Sequence, residues 1–382
     1  MFKICIFLSI FYLINAQDKT FTCRDMNNNP VDWFIFYKLG KEPWSNVPNL
    51  ANGSAFMYMD VNNVNWQFPQ DISMYDTNHA IYYTLKQYYD NKADKDNTFY
   101  ILYNDEWPAN IGNGSIWSDD SGHQKGVSLF GRGGGYWLIH SIPKFPTNDT
   151  YGFPSNAHTY GQMGICLSLP YLQGANNTVT QLSYTYPFIY EISAGQSFLN
   201  DIPRINNLIN RNFVTTPATS KVTFNTVDGR EFYHYAKSGP WGKDLYADFV
   251  AIDLQTDLLV ESWDHNASMN INSTCGRKYD VFDAKNVSLP FNVAFSTYWD
   301  HSKYAIAYDS AAYDSAGHPF PYMCVGDINR QLHQEVRGGG TMCFLNSTVF
   351  STFGPIISEH YGCPKAGFLQ TLKQYLPKFL RF

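Results

Sequence analysis

The sequence predicts an α/β fold made of two closely packed halves. Aromatic residues make up 17% of the 382 positions, which favours strands over an all-helical bundle. A helical pattern over 79–90 lies between strand-like runs over 55–61 and 98–104, which indicates that strands and helices alternate. No Pro- or Ser-rich linker divides the chain, although the polar stretch 198–220 lies near its midpoint. With 44% apolar and 16% charged residues the chain can form a sizeable core, and intrinsic disorder is excluded.

The later elements follow from turn residues that separate apolar runs. The glycine-rich segment 131–135 predicts a hairpin turn, and Asp228-Gly229 predicts another. Because Tyr136 takes the last position of a would-be G-x-G-x-x-G, we interpret 131–135 as a turn rather than a phosphate cradle. The expected elements are hairpin strands over 125–130, 136–141, 222–227 and 231–235, strands over 304–308 and 322–325, and a closing helix over 346–360.

The first 16 residues have the features of a secretory signal peptide. Lys3 supplies an early positive charge, residues 4–13 are apolar, and a small residue precedes the expected cleavage point. The mature protein would then comprise an N-terminal half, 17–210, and a C-terminal half, 211–382. No later stretch reaches about 18 uninterrupted apolar residues, so no membrane anchor is expected. We expect a protein of the secretory pathway, either lysosomal or secreted.

The cysteines and the glycosylation sequons agree with that route. Cys5 lies in the signal peptide, and the even number that remains predicts up to three disulfides in an oxidising compartment. Spacing alone leaves 15 pairings open, and C-x-x-C, the spacing of zinc and redox sites, does not occur. The mature cysteines are Cys23, Cys166, Cys275, Cys324, Cys343 and Cys363. Sequons begin at Asn52, Asn113, Asn148, Asn176, Asn266, Asn272, Asn286 and Asn346.

The charge balance depends strongly on pH. Removal of Lys3 with the signal peptide leaves 26 basic and 33 acidic residues, which changes the net charge from −6 to −7 at neutral pH. At that pH a polyanion would be repelled. All 10 histidines are in the mature part, and their full protonation near pH 5 would move the net charge toward +3. Acid therefore favours the binding of a polyanion.

Two H-x-K triplets are the residues that best carry chemistry. The sequence contains no Walker A motif, no H-E-x-x-H, no EF-hand loop and no G-x-S-x-G. His123-Gln124-Lys125 and His301-Ser302-Lys303 each precede an apolar, strand-like run and lie about half the chain apart. In an extended strand residues i and i+2 share a face, so each triplet would present an imidazole and an ammonium together.

Two such pairs brought together would suffice for phosphodiester cleavage without a metal. One imidazole would attack phosphorus to form a phosphohistidine, while the other, as imidazolium, would protonate the leaving oxygen. The two ammonium groups would hold the nonbridging oxygens, and water would complete the hydrolysis. The two histidines should titrate as a coupled unit with a bell-shaped profile in the acid range. The alternative is that both triplets are surface strand ends.

At these residues the sequence resembles the deoxyribonuclease II family, the acid endonucleases of lysosomes and secretions. The resemblance runs nearly end to end, and its ordered set of motifs is highly specific. The matching stretches are Cys23 with Pro30–Phe34 and Tyr37–Leu39, Gly122–Val127, Gly134–Pro143, Thr159–Gln162, Asp300–Lys303, Cys324–Arg330 and Arg337–Cys343.

The resemblance implies a phospholipase-D-like α/β fold, with two similar halves and mixed sheets packed around one shared active site. It implies metal-independent cleavage of DNA that leaves 3′-phosphate ends, with no cofactor. It assigns catalysis to His123, Lys125, His301 and Lys303. It also implies three disulfide pairings, which are Cys23 with Cys166, Cys275 with Cys363, and Cys324 with Cys343.

Three residues of the matched motifs are supporting candidates. His140 has a direct role or is a buried hairpin histidine beside Trp137, and Asp300 either orients an imidazole or is a strand-end carboxylate. The third supporting candidate is Asn329, in the matched stretch Cys324–Arg330. The chain departs from many relatives in having Gln124 inside the first triplet. Five residues after each lysine, where the wider superfamily often has Asp, it has Phe130 and Tyr308.

The nature of the substrate contacts stays open at this point. Arg330, Arg337 and Lys243 lie near the motifs and are candidates for a basic groove, with scattered solvated charge as the alternative for each. The leading hypothesis is an acid deoxyribonuclease with DNA as substrate, and the alternative is a secreted DNA- or surface-binding relative without turnover. A metal-dependent phosphodiesterase would need a cluster of Asp, Glu and His at ligand-like spacing, which the sequence lacks. The oligomeric state stays open, a homodimer included.

Overall fold

Two large β-sheets form the framework of the protein. The computed structural model describes residues 18–108, 111, 121–266, 268–308 and 320–363. The expected signal peptide and the sequon at Asn113 lie outside them. Two short strands, β1 (Cys23–Arg24) and β2 (Pro30–Val31), form a separate ribbon before the first sheet. The strands and helices together confirm the predicted α/β class.

The first sheet is antiparallel throughout. Its eight strands are β3 (Trp33–Lys38), β4 (Phe56–Asp60), β5 (Asn63–Gln67), β6 (Phe99–Asn104), β7 (Lys125–Gly131), β8 (Gly134–His140), β9 (Gln162–Leu169) and β10 (Phe188–Ala194). Their order in space is β10-β6-β7-β8-β9-β3-β4-β5. The predicted hairpin at the glycine-rich turn is confirmed, since β7 pairs with β8 and Gly131 faces Gly134.

The second sheet contains nine strands. They are β11 (Thr219–Asn225), β12 (Glu231–Lys237), β13 (Asp257–Glu261), β14 (Val281–Leu289), β15 (Val293–Ser296), β16 (Tyr304–Tyr308), β17 (Tyr322–Gly326), β18 (Gly339–Leu345) and β19 (Ile357–His360). The order is β11-β12-β18-β17-β16-β13-β14-β15, and β19 pairs with β14. Only β13 and β14 run parallel among these paired strands. The predicted hairpin at Asp228-Gly229 is confirmed as β11 and β12.

The two sheets share one pattern of neighbours. In the first sheet β7 lies between β6 and β8, and β9 and β3 follow. In the second sheet β16 lies between β13 and β17, and β18 and β12 follow. The strand that begins at the end of each H-x-K triplet, β7 or β16, therefore occupies the equivalent place in its sheet.

The sheets pack against each other through large aromatic residues. Trp33 lies 5.8 Å from Phe344 between ring centroids, and Tyr37 lies 6.3 Å from Tyr304. One continuous apolar cluster takes in buried side chains of both sheets. Because sheet packing fixes each strand end relative to the other sheet, it also fixes the two triplets relative to each other.

Helices link the strands of the two sheets. They are α1 (Pro48–Asn52), α2 (Ala80–Asn91), α3 (Tyr171–Thr185), α4 (Gln196–Asp201), α5 (Ile205–Ile209), α6 (Ala251–Leu254), α7 (Leu332–Glu335) and α8 (Ser347–Phe353). The predicted helix over 79–90 is confirmed as α2, and Nδ1 of His79 accepts the hydrogen bond of the Tyr82 N–H at its start. No described helix is long and apolar enough to cross a membrane.

The prediction of a closing helix over 346–360 is wrong beyond its first half. The observed helix, α8, ends at Phe353, and the chain returns as strand β19. Pro355 has no amide hydrogen to continue the helical ladder, and the β-branched pair Ile356-Ile357 favours an extended chain. Ile357 then pairs with Val287 of β14.

Three disulfides tie distant segments together. They join Cys23 to Cys166, Cys275 to Cys363 and Cys324 to Cys343. The first anchors the N-terminal ribbon to β9, and the third links neighbouring strands β17 and β18. Of the described sequon asparagines, Asn52, Asn266 and Asn272 are exposed, whereas Asn148, Asn176, Asn286 and Asn346 are partly exposed. Their glycosylation stays a prediction.

Candidate active site

The first triplet lies where the chain enters β7. Lys125 is the first residue of the strand and is buried, while the His123 side chain keeps 12% of its surface exposed. Nδ1 of His123 donates to the carbonyl oxygen of Asp327 at 2.7 Å. Because a carbonyl can only accept, this bond places the proton on Nδ1 and leaves the lone pair of a neutral imidazole on Nε2.

Asp105 joins the two functional groups of this triplet. Its carboxylate lies 3.3 Å from Nε2 of His123 and 2.5 Å from Nζ of Lys125. Asp105 directly follows β6, and the side-chain oxygen of Asn104 accepts the N–H groups of Asp105 and Glu106, which fixes the turn. The sequence analysis missed Asp105, because its contact with the triplet depends on the pairing of β6 with β7.

The second triplet lies where the chain enters β16. Lys303 is buried, and its ammonium donates to the carbonyl of His301. The His301 ring packs against two aromatic rings, Tyr160 at 4.1 Å and Trp263 at 3.9 Å between centroids. Nε2 of His301 is buried and has no hydrogen-bond partner among the described residues. The two imidazoles therefore have different surroundings, one polar and one aromatic.

Each half of the protein holds the histidine of the other half. The main-chain N–H of His123 donates to the carbonyl of Gly338, just before β18, at 2.9 Å. The main-chain N–H of His301 donates to the carbonyl of Gly161, just before β9, at 2.8 Å. Gly338 and Gly161 occupy equivalent positions in the two sheets. The two triplets are thus brought together by a reciprocal pair of loops.

Two buried lysines fix these loops. Lys38, at the end of β3, donates to the carbonyls of Tyr160 at 2.7 Å and His158 at 2.8 Å. Lys237, at the end of β12, donates to three carbonyls of the other loop, among them that of Arg337 at 2.6 Å. Burial lowers the pKa of both lysines. Their role is structural, since their donors are used on backbone oxygens.

The charges of the site act on both histidines. Burial, followed by the charge of Lys125, holds the pKa of His123 well below its usual range, and Arg337 and Lys303 add to this. Burial and then Lys303 and Lys125 lower the pKa of His301 in the same way. The two halves therefore form one electrostatic site, in which positive charge from both triplets disfavours the protonated form of each imidazole.

Lys303 and Asp327 have unusual pKa values in this setting. Burial and Lys125 lower the pKa of Lys303 to about 7. Burial raises the pKa of Asp327 to about 7. The Gly340 N–H, which donates to its carboxyl group, and the charge of Lys125 lower this pKa but do not offset burial. Strongly shifted pKa values at a convergent set of groups make this a candidate functional site.

The structure places the three supporting candidates in different ways. His140 is buried opposite Lys125 across the β7–β8 pair and contacts Phe145 at 5.5 Å, not Trp137. The Asp300 carboxylate accepts hydrogen bonds from the Ser302 N–H at 2.9 Å and from the Ser302 hydroxyl at 2.7 Å, as a strand-end carboxylate does. Asn329 is buried, and its side-chain oxygen has no partner among the described residues.

The arginines suggested as substrate contacts are not solvated charges. Arg330 is buried in ion pairs with Asp244 and Asp283, so it cannot form a basic groove. Arg337 is also buried and donates to the carbonyl of Ser121 at 2.9 Å, close to the first triplet. Lys243 is exposed above the Trp241 ring. The side-chain amide of Gln124 donates a hydrogen bond to the carbonyl of Thr185.

One group of side chains has the spacing of a metal site within the described part of the chain. It consists of Cys275, Asp280 and Cys363. The two sulfurs are joined in a disulfide and offer no thiolate, so the group does not fit a metal.

Known proteins resemble this chain over nearly its full length. The profile of the deoxyribonuclease II family matches residues 22–363. The chain belongs to the deoxyribonuclease II family. It is 44% identical to cell death-related nuclease 6 of Caenorhabditis elegans over 93% of this chain and 92% of that protein. It is 35% identical to plancitoxin-1 of Acanthaster planci over 91% and 94%, and 32% identical to human deoxyribonuclease-2-beta over 94% and 95%, respectively.

Membership of the deoxyribonuclease II family gives the convergent triplets a context. The stretch matched by the family profile contains both triplets, the Asp105 carboxylate and the two loops that hold the histidines. Sequence reasoning named the triplets but missed Asp105, Asp327, Tyr160 and Trp263, which reach them through strand pairing and loop packing. Tyr160 and Asp327 lie inside the motifs of the resemblance, and that was the signal available for them.

Proposed function

We propose that the protein is an acid endodeoxyribonuclease that hydrolyses DNA to 3′-phosphate products through a phosphohistidine, without a metal. Family membership supports a DNA-hydrolysing endonuclease. The observation that carries the mechanism is the meeting of the two triplets, in which the ammonium groups of Lys125 and Lys303 act on both imidazoles. The two-half arrangement supports the phospholipase-D-like fold as part of this proposal.

His123 is the nucleophile in the proposed first step. Its Nδ1 proton is held by the Asp327 carbonyl, so the Nε2 lone pair is available for phosphorus. Nε2 bonds to phosphorus as the bond from phosphorus to O5′ breaks, and the His301 imidazolium gives its proton to O5′. The 5′-hydroxyl strand leaves, and the 3′ strand stays on His123 as a phosphohistidine.

Water completes the reaction. Neutral His301 takes a proton from water, the resulting oxygen bonds to phosphorus, and the bond from phosphorus to Nε2 breaks. The products are a 3′-phosphate strand and the regenerated histidine pair. Lys125 and Lys303 hold the nonbridging oxygens in both steps and so stabilise the negative charge of each transition state.

The proposed acid requirement follows from the direction of the histidine shifts. The mechanism needs one imidazolium, and both pKa values are lowered. A lowered pKa means that protonation is complete only at a lower pH, so activity should rise as pH falls and decline once the nucleophile is protonated too. An acidic lysosome or an acidic secretion would supply such conditions.

The test is plasmid cleavage at pH 5 and pH 7.5 in excess chelator. We expect acid activity that resists the chelator, new ends that carry 3′-phosphate, and loss of activity in both His123→Ala and His301→Ala. His360→Ala is a matched control, because this partly exposed histidine packs on Phe282 of β14 and on Tyr308, which is at the opposite end of β16 from the triplet. Activity that survives either triplet substitution, or that vanishes with chelator, would contradict the mechanism. An inactive folded wild type would favour DNA binding without turnover.

A further inference from the structure

A cavity of about 640 Å³ lies beside the second triplet and plays no part in the proposed chemistry. Two indoles line it, Trp44 and Trp299, together with Lys41, Glu42 and Phe295. Trp44 is 96% exposed and Trp299 is 48% exposed. Large exposed indoles that flank a cavity of this size are typical of a ligand site.

Stacked rings connect this cavity to the active site. The Trp299 ring stacks on Tyr160 at 6.0 Å and 25°, and Tyr160 stacks on His301 at 4.1 Å and 21°. Only the Tyr160 ring separates the cavity from the imidazole in this series. A group bound against Trp299 would therefore lie two ring contacts away from the His301 imidazole.

Glu42 indicates which part of a nucleic acid fits there. Its side chain lines the cavity, and Oε1 is buried without a hydrogen-bond partner among the described residues. A carboxylate would repel a phosphate, whereas it would accept a hydrogen bond from the N–H groups of a base. Burial raises the pKa of Glu42, so acid conditions also reduce its negative charge near DNA.

We propose that this cavity binds a nucleobase adjacent to the cleaved phosphodiester, stacked against Trp44 and Trp299. The proposal rests on the proposed function and deepens it. Every base has an apolar face, so stacking holds the strand without reading its sequence, while Lys41 at the rim is placed to meet the backbone. A base can enter only after it leaves the duplex stack, so the site takes a base from a single strand or one turned out of a duplex.

The test measures binding separately from turnover. A labelled single-stranded oligonucleotide is titrated at pH 5 into the His123→Ala protein, with and without Trp44→Ala or Trp299→Ala, and its fluorescence anisotropy is followed. A strand of the same length in which every residue is abasic serves as the second ligand, so that no neighbouring base can replace the missing one. Each indole substitution should weaken binding of the intact strand by roughly 5- to 150-fold, the range for loss of one base stack. It should change binding of the abasic strand far less.

The two indole variants protect the test against misfolding. Trp44 makes no ring contact with another described residue, so its removal should not disturb the fold. Val227→Ala is the control, because Val227 is 58% exposed and its N–H bonds the carbonyl of Ser168, at the opposite end of β9 from Gly161.

The outcomes separate this proposal from the proposed function. Unchanged binding in both indole variants, or an equal loss for the intact and abasic strands, would overturn the base site while leaving the nuclease mechanism standing. If the wild type does not cleave DNA and the anisotropy pattern still appears, the base site stands and the mechanism fails.

Discussion

The carbonyl of Gly338 accepts the main-chain hydrogen bond of His123 across the interface between the two sheets. The equivalent carbonyl of Gly161 accepts that of His301 in the opposite direction. Each histidine is therefore held by the loop of the other half, and neither half alone contains an anchored triplet. The geometry of the candidate site depends on the packing of the halves as much as on the triplets themselves.

Gly338→Ala tests this dependence. A Cβ at residue 338 would overlap the carbonyl oxygen of Thr185, so the loop or the end of α3 must shift, and the bond from His123 to Gly338 is disturbed. We expect a loss of about 1–3 kcal/mol in unfolding free energy, as for other overpacked positions, together with a fall in kcat on DNA. Gly152→Ala is the control, since nothing lies within 4 Å of its added Cβ. Unfolding free energy is measured by chemical denaturation and activity by plasmid cleavage. Equal values for the two variants in both assays would contradict the interlocked arrangement.

The sequence allowed prediction of what depends on local pattern. Strand alternation, the glycine turn and the i, i+2 spacing of each triplet are visible in a single stretch of chain, and these elements were found in the structure. The prediction of the closing helix failed because Pro355 and a β-branched pair follow its first turns, and because pairing with β14 stabilises an extended chain.

The surroundings of the triplets could not be predicted in this way. Asp105 reaches Lys125 because β6 pairs with β7 in one register, and Trp263 reaches His301 because β13 pairs with β16. Such contacts depend on long-range strand order, which no local pattern contains. Arg330 looked like a substrate contact for the same reason, although the fold buries it.

Asp105→Asn should impair catalysis while preserving the fold. The amide keeps the shape of the carboxylate but removes the ion pair with Lys125 and the charged partner of His123. Because Asp105 holds Lys125, and loss of one group that stabilises transition-state charge costs about 10²–10³ in kcat, we expect kcat/KM at pH 5 to fall on the order of 10²-fold. Asp96→Asn, an exposed carboxylate in the turn before β6, is the control. Full activity in steady-state assays of Asp105→Asn would remove Asp105 from the site.

Lys303→Met should inactivate the enzyme and stabilise it in acid. Burial lowers the pKa of Lys303 to about 7 in the folded state, whereas the unfolded value is about 10.4. Below pH 7 the fold bears the full cost of a buried ammonium, and between pH 7 and 10 this cost shrinks as the folded lysine loses its proton. We expect a gain of about 1–4 kcal/mol at pH 5 that declines by pH 9, measured by urea unfolding at both values. A gain that increases with pH would refute the assignment.

Arg330→Met should destabilise the protein through the acids it leaves behind. Arg330 pairs with Asp244 at 2.8 Å and with Asp283, whose pKa burial raises to about 6. Loss of the guanidinium leaves two buried carboxylates, at a cost of about 3–5 kcal/mol when both are ionised. The loss in unfolding free energy should be larger at pH 7.5 than at pH 5, because Asp283 takes up a proton in acid. Equal losses at the two pH values would argue against burial of these charges.

His140 offers a test of how Lys125 is held. The two side chains are cross-strand partners, and burial, with the charge of Lys125, lowers the pKa of His140 to about 3. At pH 5 the imidazole is therefore neutral and acts by packing and hydrogen bonding, while its Nδ1 accepts the Ile142 N–H at 3.2 Å. His140→Asn keeps an acceptor for that N–H, so the fold should survive.

A positioning role for His140 predicts a specific kinetic signature. With Lys125 less well held, kcat on DNA should fall, while both limbs of the pH–rate profile stay where they are in the wild type, because His140 does not titrate in that range. His360→Asn should change neither. If His140→Asn removes or moves one limb of the profile, His140 itself exchanges the proton. The pair His123 and His301 would then no longer account for the pH dependence.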